Sequence, residues 1–209
     1  YDSSDEVIKP QFVVQKLHEV TLGEAYVTSD VGQHQMWAAQ HCLFREPNTF
    51  ITTGGMGTMG FEVPAALGAQ VGRPDTTVWS VCGDGGFQMT MCDIATAVES
   101  GADVKFAILN NKNLGMVHQL QDVFFEKDYM ASEFSANPDF VKIAEAYGIR
   151  GIRVTKQEEV VDAVQQAMET AGPVIVDFMV KEDEIVFPFI PSGQSVNEML
   201  EEPAHNGTS

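Results

Sequence analysis

The stretch TVWSVCGDGG, residues 77–86, joins an apolar run to a turn that is rich in glycine. A continuous apolar run such as 77–82 is typical of a strand that is buried on both faces of a parallel sheet. Three later runs share this character, and they lie at 104–109, 149–154 and 174–180. Because strands of this kind need helices on both faces of the sheet, the stretch decides the class of fold.

Helix-like segments alternate with these runs along the chain, with apolar residues close to helical spacing. The predicted helices are 11–20, 33–43, 59–71, 88–100, 140–147 and 158–171, and short strands are predicted at 25–28 and 50–52. The sequence therefore predicts an α/β fold, with a doubly wound, mainly parallel six-stranded sheet and helices on both faces. The expected domain is 1–180, followed by a C-terminal extension or tail at 181–209.

The chain is strongly acidic, with 12 Lys and Arg against 30 Asp and Glu and a formal net charge of -18 at pH 7. This charge argues against nucleic acid or an anionic membrane as a partner, because both need clustered basic residues. No apolar run approaches the roughly 18 residues of a membrane helix. A phosphate-bearing ligand would therefore have to be bound by local backbone donors and a metal ion.

The three cysteines, Cys42, Cys82 and Cys92, have neither CxxC nor zinc-ligand spacing. An odd number of scattered thiols indicates a reducing compartment and buried, structural roles. We therefore expect a cytoplasmic location, or an organellar one if the source is eukaryotic.

Polar residues and glycines follow two of the predicted strands. The first of these turns is GDGG (83–86), and the second is NNKN (110–113). In a doubly wound sheet, ligands bind at the carboxyl ends of the strands. Glycines in such turns let backbone N–H groups approach a phosphate, and Asp84 and Asn111 offer the oxygen ligands that Mg²⁺ prefers. Either turn alone would more often be an ordinary turn.

The two turns together resemble the signature of thiamine diphosphate enzymes. This sequence has Gly-Asp-Gly, then 24 residues, then Asn-Asn, with each motif after a buried strand. The resemblance implies that the Asp84 and Asn111 side chains and the Asn113 main-chain carbonyl bind Mg²⁺. It also implies that glycines near these turns lie close to the diphosphate, namely Gly83, Gly85, Gly86 and Gly115.

Two further segments are similar to the C-terminal, thiamine-diphosphate-binding domain of the acetolactate synthase catalytic subunit. They are GQHQMW (32–37) and TGGMGTMGF (53–61). The resemblance covers nearly the whole chain. It implies that Gln33 and His34 reach the diphosphate of the cofactor.

The same resemblance implies roles for three residues at the reacting end of the cofactor. The Gly57 carbonyl and the Met59 amide would bind the aminopyrimidine. The Met59 side chain would hold the cofactor in a bent shape, which suits a bulky and flexible apolar residue. Met116 would lie beside the reacting carbon. Met59 and Met116 are therefore the candidate catalytic residues.

The resemblance implies an enzyme that decarboxylates pyruvate and adds the two-carbon unit to a second 2-oxo acid. The expected cofactors are thiamine diphosphate and Mg²⁺, with FAD as a candidate in the full-length enzyme that this segment does not mainly bind. The expected assembly is a homo-oligomer in which a complementary pyrimidine-binding domain supplies the catalytic Glu. A regulatory subunit is a further candidate partner. No segment here matches the pyrimidine-binding domain, so we expect little activity from this chain alone.

Two alternatives stay open on the sequence. The chain could be the cofactor-binding subunit of a split 2-oxo acid decarboxylase or of another thiamine carboligase. It could also be a non-catalytic module that keeps the fold and the cofactor.

One position departs from the family pattern. Leu120 stands where many acetolactate synthases carry Trp in the substrate channel, which puts the specificity of the channel in doubt. Phe124 and Phe125 are expected to be core residues more often than channel residues. The acidic residues are expected mostly on solvated faces.

Overall fold

The computed structural model describes residues 7–201, which include a six-stranded sheet. The strands are β1 (Tyr26–Ser29), β2 (Phe50–Thr52), β3 (Val78–Gly83), β4 (Val104–Asn110), β5 (Arg150–Val154) and β6 (Val174–Met179). Every neighbouring pair is parallel, and the order across the sheet is β2-β1-β3-β4-β6-β5. The chain places β2 on one side of β1 and then crosses to β3 on the other side. This reversal defines a doubly wound sheet and confirms the predicted fold class.

Eight α-helices within residues 7–201 accompany the sheet. They are α1 (Pro10–Val20), α2 (Gln33–His41), α3 (Glu62–Gly72), α4 (Asp84–Thr90), α5 (Ile94–Ser100), α6 (Gly115–Phe124), α7 (Phe140–Ala146) and α8 (Val160–Glu169). Side chains of α1, α2 and α8 enter one core, and those of α3, α4, α5 and α7 enter a second core. The prediction of helices on both faces is confirmed. No helix in the described part of the chain is both long and apolar enough to cross a membrane.

Strand β4 shows how one segment contributes to both cores. Successive side chains of a strand point to opposite faces of the sheet. Val104, Phe106 and Ile108 enter one core, whereas Ala107 and Leu109 enter the other. All five are buried, which accounts for the nearly continuous apolar run that the sequence shows here.

The predicted helix 88–100 needs correction, because it consists of two helices. A 3₁₀ turn at Met91–Asp93 separates α4 from α5. Helix α4 already begins at Asp84, so Gly85 and Gly86 lie in its first turn and not in a preceding loop. The helical propensity of glycine is low, which explains why the sequence did not indicate this early start.

Helix α6 has no counterpart in the sequence prediction. Its residues Val117, Leu120 and Phe124 have helical spacing, but all three are exposed. The buried residue of this helix is Gln119, which is polar. The spacing of these apolar residues was therefore a usable sequence signal for α6, although the apolar side of this helix faces the surface and not a core.

The segment 181–201 returns to the α/β body after β6. The Glu184 carboxylate accepts hydrogen bonds from Lys9 Nζ at 2.7 Å and from Gln11 Nε2 at 2.9 Å. These contacts join the segment to the beginning of α1. The predicted tail 181–209 lies partly outside the described residues, and its described part packs against the domain.

The cysteines only partly agree with the expected burial. Cys42 and Cys82 are buried, but Cys92 is exposed in the 3₁₀ turn between α4 and α5. Burial raises the pKa of the Cys42 thiol to about 12, so this thiol stays protonated. The expectation of a buried role is therefore wrong for Cys92.

Phe140 offers a test of the assignment of the core. Its ring has no exposed surface and packs edge-on against Phe87, with 5.6 Å between the ring centroids. We expect Phe140→Ala to lower the free energy of unfolding, measured in urea, by about 3–5 kcal/mol. The matched control is Phe125→Ala, which removes a ring that is 63% exposed and should cost less than about 0.5 kcal/mol. Equal losses in the two variants would contradict the assignment.

Candidate functional site

The candidate site lies where the strand order reverses, at the carboxyl ends of β1 and β3. Strand β4 ends at the same edge, because Gly83 on β3 pairs with Leu109 on β4. A cavity of about 220 Å³ lies at this edge. Ligands of doubly wound sheets bind in the crevice formed at such a reversal. The cavity is therefore the natural position for a ligand in this fold.

This cavity brings together residues that lie far apart in the sequence. All the predicted site residues except Gly57 line it. They are Gln33, His34, Met59, Gly83, Asp84, Gly85, Gly86, Asn111, Asn113, Gly115 and Met116. Gly57 lies next to the lining, because a Cβ placed on it would be 3.4 Å from a methyl group of Val31, which lines the cavity.

Two glycines approach their neighbours so closely that a side chain would displace something. A Cβ on Gly83 would lie 2.9 Å from His34 Nδ1. A Cβ on Gly85 would lie 3.0 Å from both Met59 Cε and Leu114 Cδ2. The absence of a side chain at these two positions therefore lets His34, Met59 and Leu114 pack directly against the backbone that lines the cavity.

Asp84 is the first residue of α4 and is only 1% exposed. Its Oδ2 accepts hydrogen bonds from the Lys112 main-chain nitrogen at 2.8 Å and from Asn137 Nδ2 at 2.6 Å. Its Oδ1 accepts one from the Gly85 main-chain nitrogen at 2.9 Å. Burial raises the pKa of Asp84 to about 6, against the opposing effect of these hydrogen bonds.

Asp84 differs from two other fully buried aspartates in having no salt-bridge partner within residues 7–201, although the charge of His34 helps to lower its pKa. Asp30 contacts His34, and Asp177 lies 3.0 Å from the guanidinium of Arg153. Within residues 7–201, no basic side chain forms a salt bridge with Asp84. A buried carboxylate costs free energy unless a cation compensates it. The cavity beside Asp84 is therefore a suitable place for a cation.

Asn111 and Asn113 follow β4 and are almost fully buried. Asn111 Nδ2 donates to Gln33 Oε1 at 3.3 Å, and Asn111 Oδ1 accepts from the Asn113 main-chain nitrogen at 3.2 Å. The Asn113 side chain donates to the main-chain oxygen of Glu182 at 3.0 Å. This bond holds the Asn113 side chain through its nitrogen and ties the loop after β4 to the segment 181–201.

The chemistry of these oxygens limits the choice of metal. In the described part of the chain, no group of three His, Cys, Asp or Glu residues could hold a metal ion. A metal at this site would instead meet one carboxylate, one amide oxygen and main-chain carbonyl oxygens. Such a set suits Mg²⁺, which combines a few protein oxygens with phosphate and water oxygens.

Gln33 is held by the chain itself. Its Nε2 donates to Gln119 Oε1 and to the main-chain oxygen of Glu184, both at 2.8 Å. Its Oε1 accepts from Asn111. Gln33 therefore connects the loop after β4 to α6 and to the segment 181–201, and its side chain has no free donor for a ligand in this structure.

Sequence reasoning missed Asp30, which lies next to the cavity. Asp30 Oδ1 contacts His34 Nε2, and Asp30 Oδ2 accepts from the Gly60 main-chain nitrogen at 2.7 Å. Burial alone would raise the pKa of Asp30, but the interactions with His34 and Gly60 outweigh it and lower the pKa. Asp30 follows β1 directly, so the rule that ligands bind at strand ends could have identified it.

Glu62, the first residue of α3, is an exception to the expectation that acidic residues lie on solvated faces. It is fully buried, and neither carboxyl oxygen meets a donor group. Burial and the neighbouring charge of Asp30 raise the pKa of Glu62 to about 9, so Glu62 keeps its proton at neutral pH. Acidic residues in the first turn commonly stabilise a helix from the solvent through its dipole, so the position of Glu62 alone did not indicate burial.

The expected core position of two aromatic residues is wrong. Phe124 is 47% exposed and Phe125 is 63% exposed, and neither lines the cavity. Leu120 is also exposed on the same helix, α6. These side chains form an apolar part of the surface, which explains why their apolar run resembled a core segment in the sequence.

The fold and the site together define a class of protein. Residues 30–178 match the family described as "Thiamine pyrophosphate enzyme, C-terminal TPP binding domain", where thiamine pyrophosphate is another name for thiamine diphosphate. The matched range contains all the residues predicted to line the cofactor site. The chain therefore belongs to the thiamine pyrophosphate enzymes, as their C-terminal, cofactor-binding domain.

Curated relatives point to a particular enzyme within this class. The chain is 44% identical over 201 residues to an acetolactate synthase of Mycobacterium leprae, covering 94% of the chain and 32% of the relative. It is 46% identical over 196 residues to the mitochondrial acetolactate synthase catalytic subunit of Saccharomyces cerevisiae, covering 92% and 28%. It is 42% identical over 207 residues to the chloroplastic acetolactate synthase 1 of Zea mays, covering 96% and 32%. The chain thus spans about a third of the length of these relatives, and the resemblance to acetolactate synthase is confirmed.

The raised pKa of the buried Glu62 carboxyl group predicts that the stability of the folded chain depends on pH. In the unfolded chain Glu62 ionises near 4.5, whereas in the folded chain it keeps its proton up to a pKa of about 9. Between these values the unfolded state binds fewer protons, so stability falls as the pH rises, by up to about 1.4 kcal/mol per pH unit. Glu62→Gln has a similar shape and no proton to lose.

We therefore expect the stability of Glu62→Gln, relative to the unmodified chain, to rise by roughly 2–3 kcal/mol between about pH 5.5 and about pH 8. Urea unfolding at the two pH values measures this difference. Glu145→Gln changes an exposed glutamate on α7 and should show no such rise. A pH-independent difference for Glu62→Gln would show that Glu62 is ionised in the folded chain.

Proposed function

We propose that this chain is the thiamine-diphosphate- and Mg²⁺-binding domain of an acetolactate synthase. The whole enzyme would decarboxylate pyruvate and join the two-carbon unit to a second 2-oxo acid. The observation that carries the proposal is the position of Asp84, a buried carboxylate without a salt-bridge partner among residues 7–201, in a cavity shared with Asn111. The identity to acetolactate synthases supports this choice of reaction within the family.

The residues of the cavity fit the diphosphate end of the cofactor. Asp84, Asn111 and the Asn113 carbonyl would bind Mg²⁺, which in turn binds phosphate oxygens. The diphosphate would lie against the glycine cradle, formed by Gly83, Gly85, Gly86 and Gly115. When bound, thiamine diphosphate supplies the carbon nucleophile and the electron sink that decarboxylation of a 2-oxo acid needs.

His34 is oriented by its neighbour for a role at the diphosphate. Its Nε2 is engaged with Asp30, and its Nδ1 lies on the side of Gly83. An imidazole that is fixed through one nitrogen can present the other to a ligand in a defined direction. This geometry supports a contact between His34 Nδ1 and the diphosphate.

We propose that three residues contact the reacting end of the cofactor. Gly57 and Met59 would bind the aminopyrimidine, and the Met59 side chain would hold the bent shape of the cofactor. Met116 would face the reacting carbon. Met59 and Met116 are both half-buried residues of the cavity lining, which allows them to contact a ligand.

The remaining parts of the activity would come from outside this chain. Because the chain spans about a third of its relatives, we propose that a complementary pyrimidine-binding domain supplies the catalytic Glu. The same proposal includes a homo-oligomer, a site for FAD in the longer protein, a regulatory subunit, and a cytoplasmic or organellar location.

We also propose that the cofactor domain is 1–180, with 181–209 as its extension. The relatives described above are all named acetolactate synthases, which does not favour a split decarboxylase or a non-catalytic module.

Asp84→Ala tests the metal assignment. We expect the unmodified chain to bind thiamine diphosphate only together with Mg²⁺. We expect Asp84→Ala to lower this metal-dependent affinity by at least roughly 100-fold, because loss of a residue that binds the metal directly should weaken binding more than loss of a residue that only supports it. Calorimetric titration of the unmodified and variant chains measures the change. Asp75→Ala removes an exposed aspartate and should bind as the unmodified chain does. Tight metal-dependent binding by Asp84→Ala would overturn the assignment.

A second prediction concerns turnover by the chain alone. Without a partner carboxylic acid at the aminopyrimidine, the proton transfers of thiamine catalysis lose a factor of about 100 or more. We expect little or no acetolactate from pyruvate when the pure 209-residue chain is supplied with thiamine diphosphate and Mg²⁺. A rate comparable to that of a full-length acetolactate synthase would contradict the division of labour proposed here.

A further inference from the structure

Asn137 contacts Asp84 and lies outside the lining of the cavity. Asn137 lies in the loop before α7, 53 residues from Asp84 in the sequence, and its Nδ2 donates to Asp84 Oδ2 at 2.6 Å. Asp84 lines the cavity and Asn137 does not. Asn137 instead lines a separate surface cleft together with Asn110 and Arg153. Asn137 is therefore placed to hold Asp84 without meeting a ligand.

The two oxygens of Asp84 are unequally occupied. An ionised carboxylate oxygen has about two lone-pair sites for hydrogen bonds or a metal. Oδ2 already accepts two bonds, from Asn137 and from the Lys112 main-chain nitrogen. Oδ1 accepts one, from the Gly85 main-chain nitrogen. Oδ1 is therefore the oxygen that keeps a lone pair for a metal.

The amide of Asn137 has a defined orientation. Its Nδ2 faces two acceptors, Asp84 Oδ2 and Asn110 Oδ1, the latter at 3.0 Å. Its Oδ1 accepts from Gln88 Nε2 at 3.3 Å. A rotated amide would place oxygen against oxygen at Asp84 and nitrogen against nitrogen at Gln88. The surroundings therefore fix the donor towards Asp84.

A chain of polar groups anchors Asn137 to the sheet. Asn110 Nδ2 donates to Asp177 Oδ1 at 2.9 Å, and Asp177 Oδ2 accepts from Arg153 at 3.0 Å. Arg153 also donates to Asp139, which caps the first turn of α7 two residues after Asn137. The loop that carries Asn137 is thus tied to β4, β5 and β6, and such supporting partners tune metal sites in proteins.

We propose that Asn137 is a positioning residue for the metal: it saturates Asp84 Oδ2 and so directs Asp84 Oδ1 towards the cation. This inference rests on the proposed function, since it concerns the Mg²⁺ site of that function. Mg²⁺ requires near-octahedral geometry at about 2.0–2.1 Å, whereas Ca²⁺ accepts flexible geometry at about 2.3–2.6 Å. Loss of positioning should therefore affect Mg²⁺ more than Ca²⁺.

Asn137→Ala tests this role by calorimetric titration of each cation into the 209-residue chain at a fixed concentration of thiamine diphosphate. We expect the variant to bind Mg²⁺ roughly 10- to 100-fold more weakly, with a clearly smaller loss for Ca²⁺. The matched control is Asn197→Ala, which changes an exposed asparagine and should leave both affinities unchanged. An unchanged Mg²⁺ affinity, or equal losses for the two cations, would overturn the role of Asn137.

A second variant serves if circular dichroism shows that Asn137→Ala does not fold. Asn137→Leu keeps a side chain of similar size and removes the donor to Asp84 Oδ2. We expect a loss of Mg²⁺ affinity that again exceeds the loss for Ca²⁺. Unchanged Mg²⁺ binding by this variant would overturn the proposal.

The same titrations separate this inference from the proposed function. If the unmodified chain binds neither cation together with thiamine diphosphate, the metal site itself is wrong and the role of Asn137 falls with it. If the unmodified chain binds both cations and Asn137→Ala binds them equally well, only the positioning role fails.

Discussion

The hydrogen bond from the Lys112 main-chain nitrogen to Asp84 Oδ2, 2.8 Å long, joins the segments that follow β3 and β4. Lys112 has a left-handed backbone conformation, with φ of 58°, which costs a non-glycine residue about 1–2 kcal/mol. A hydrogen bond to a charged group contributes about 1.5–3 kcal/mol, so it offsets this strain. Asn111 and Asn113 flank Lys112 in the same turn, so the position of this part of the cavity wall depends on the hydrogen bond that offsets the backbone strain at Lys112.

The sequence was sufficient for the sheet and for the residues at its strand ends. Strands buried on both faces need continuous apolar runs, and a parallel sheet brings the residues after those runs to one edge. The sequence alone was therefore sufficient to predict that Asp84 and Asn111 lie close together. Asn137 could not, because it precedes a proline in a loop and resembles a turn residue, and its partners are distant in sequence. Glu62 could not either, since nothing local distinguishes a buried acid from a solvated one in a first turn.

The chain manages its buried acidic groups in three different ways. Asp177 is compensated by a guanidinium and Asp30 by an imidazole, and Glu62 near Asp30 stays protonated. Asp84 is held by neutral donors within the described residues and faces an open cavity. An acidic protein that binds a diphosphate needs such local arrangements, because its overall field repels the ligand. Asp84, which has no salt-bridge partner within residues 7–201, is the carboxylate to which we propose that an external cation binds.

The packing of His34 against Gly83 limits which amino-acid substitutions the site can accept in evolution. The imidazole occupies the space that any side chain at position 83 would need, and Asp30 keeps the ring there. Replacement of the glycine alone would force the ring away from Asp30, whereas replacement of the histidine alone would leave an unfilled gap. A substitution at Gly83 or His34 is therefore expected to be tolerated only with a compensating substitution at the other position, so each residue restrains evolutionary change at the other.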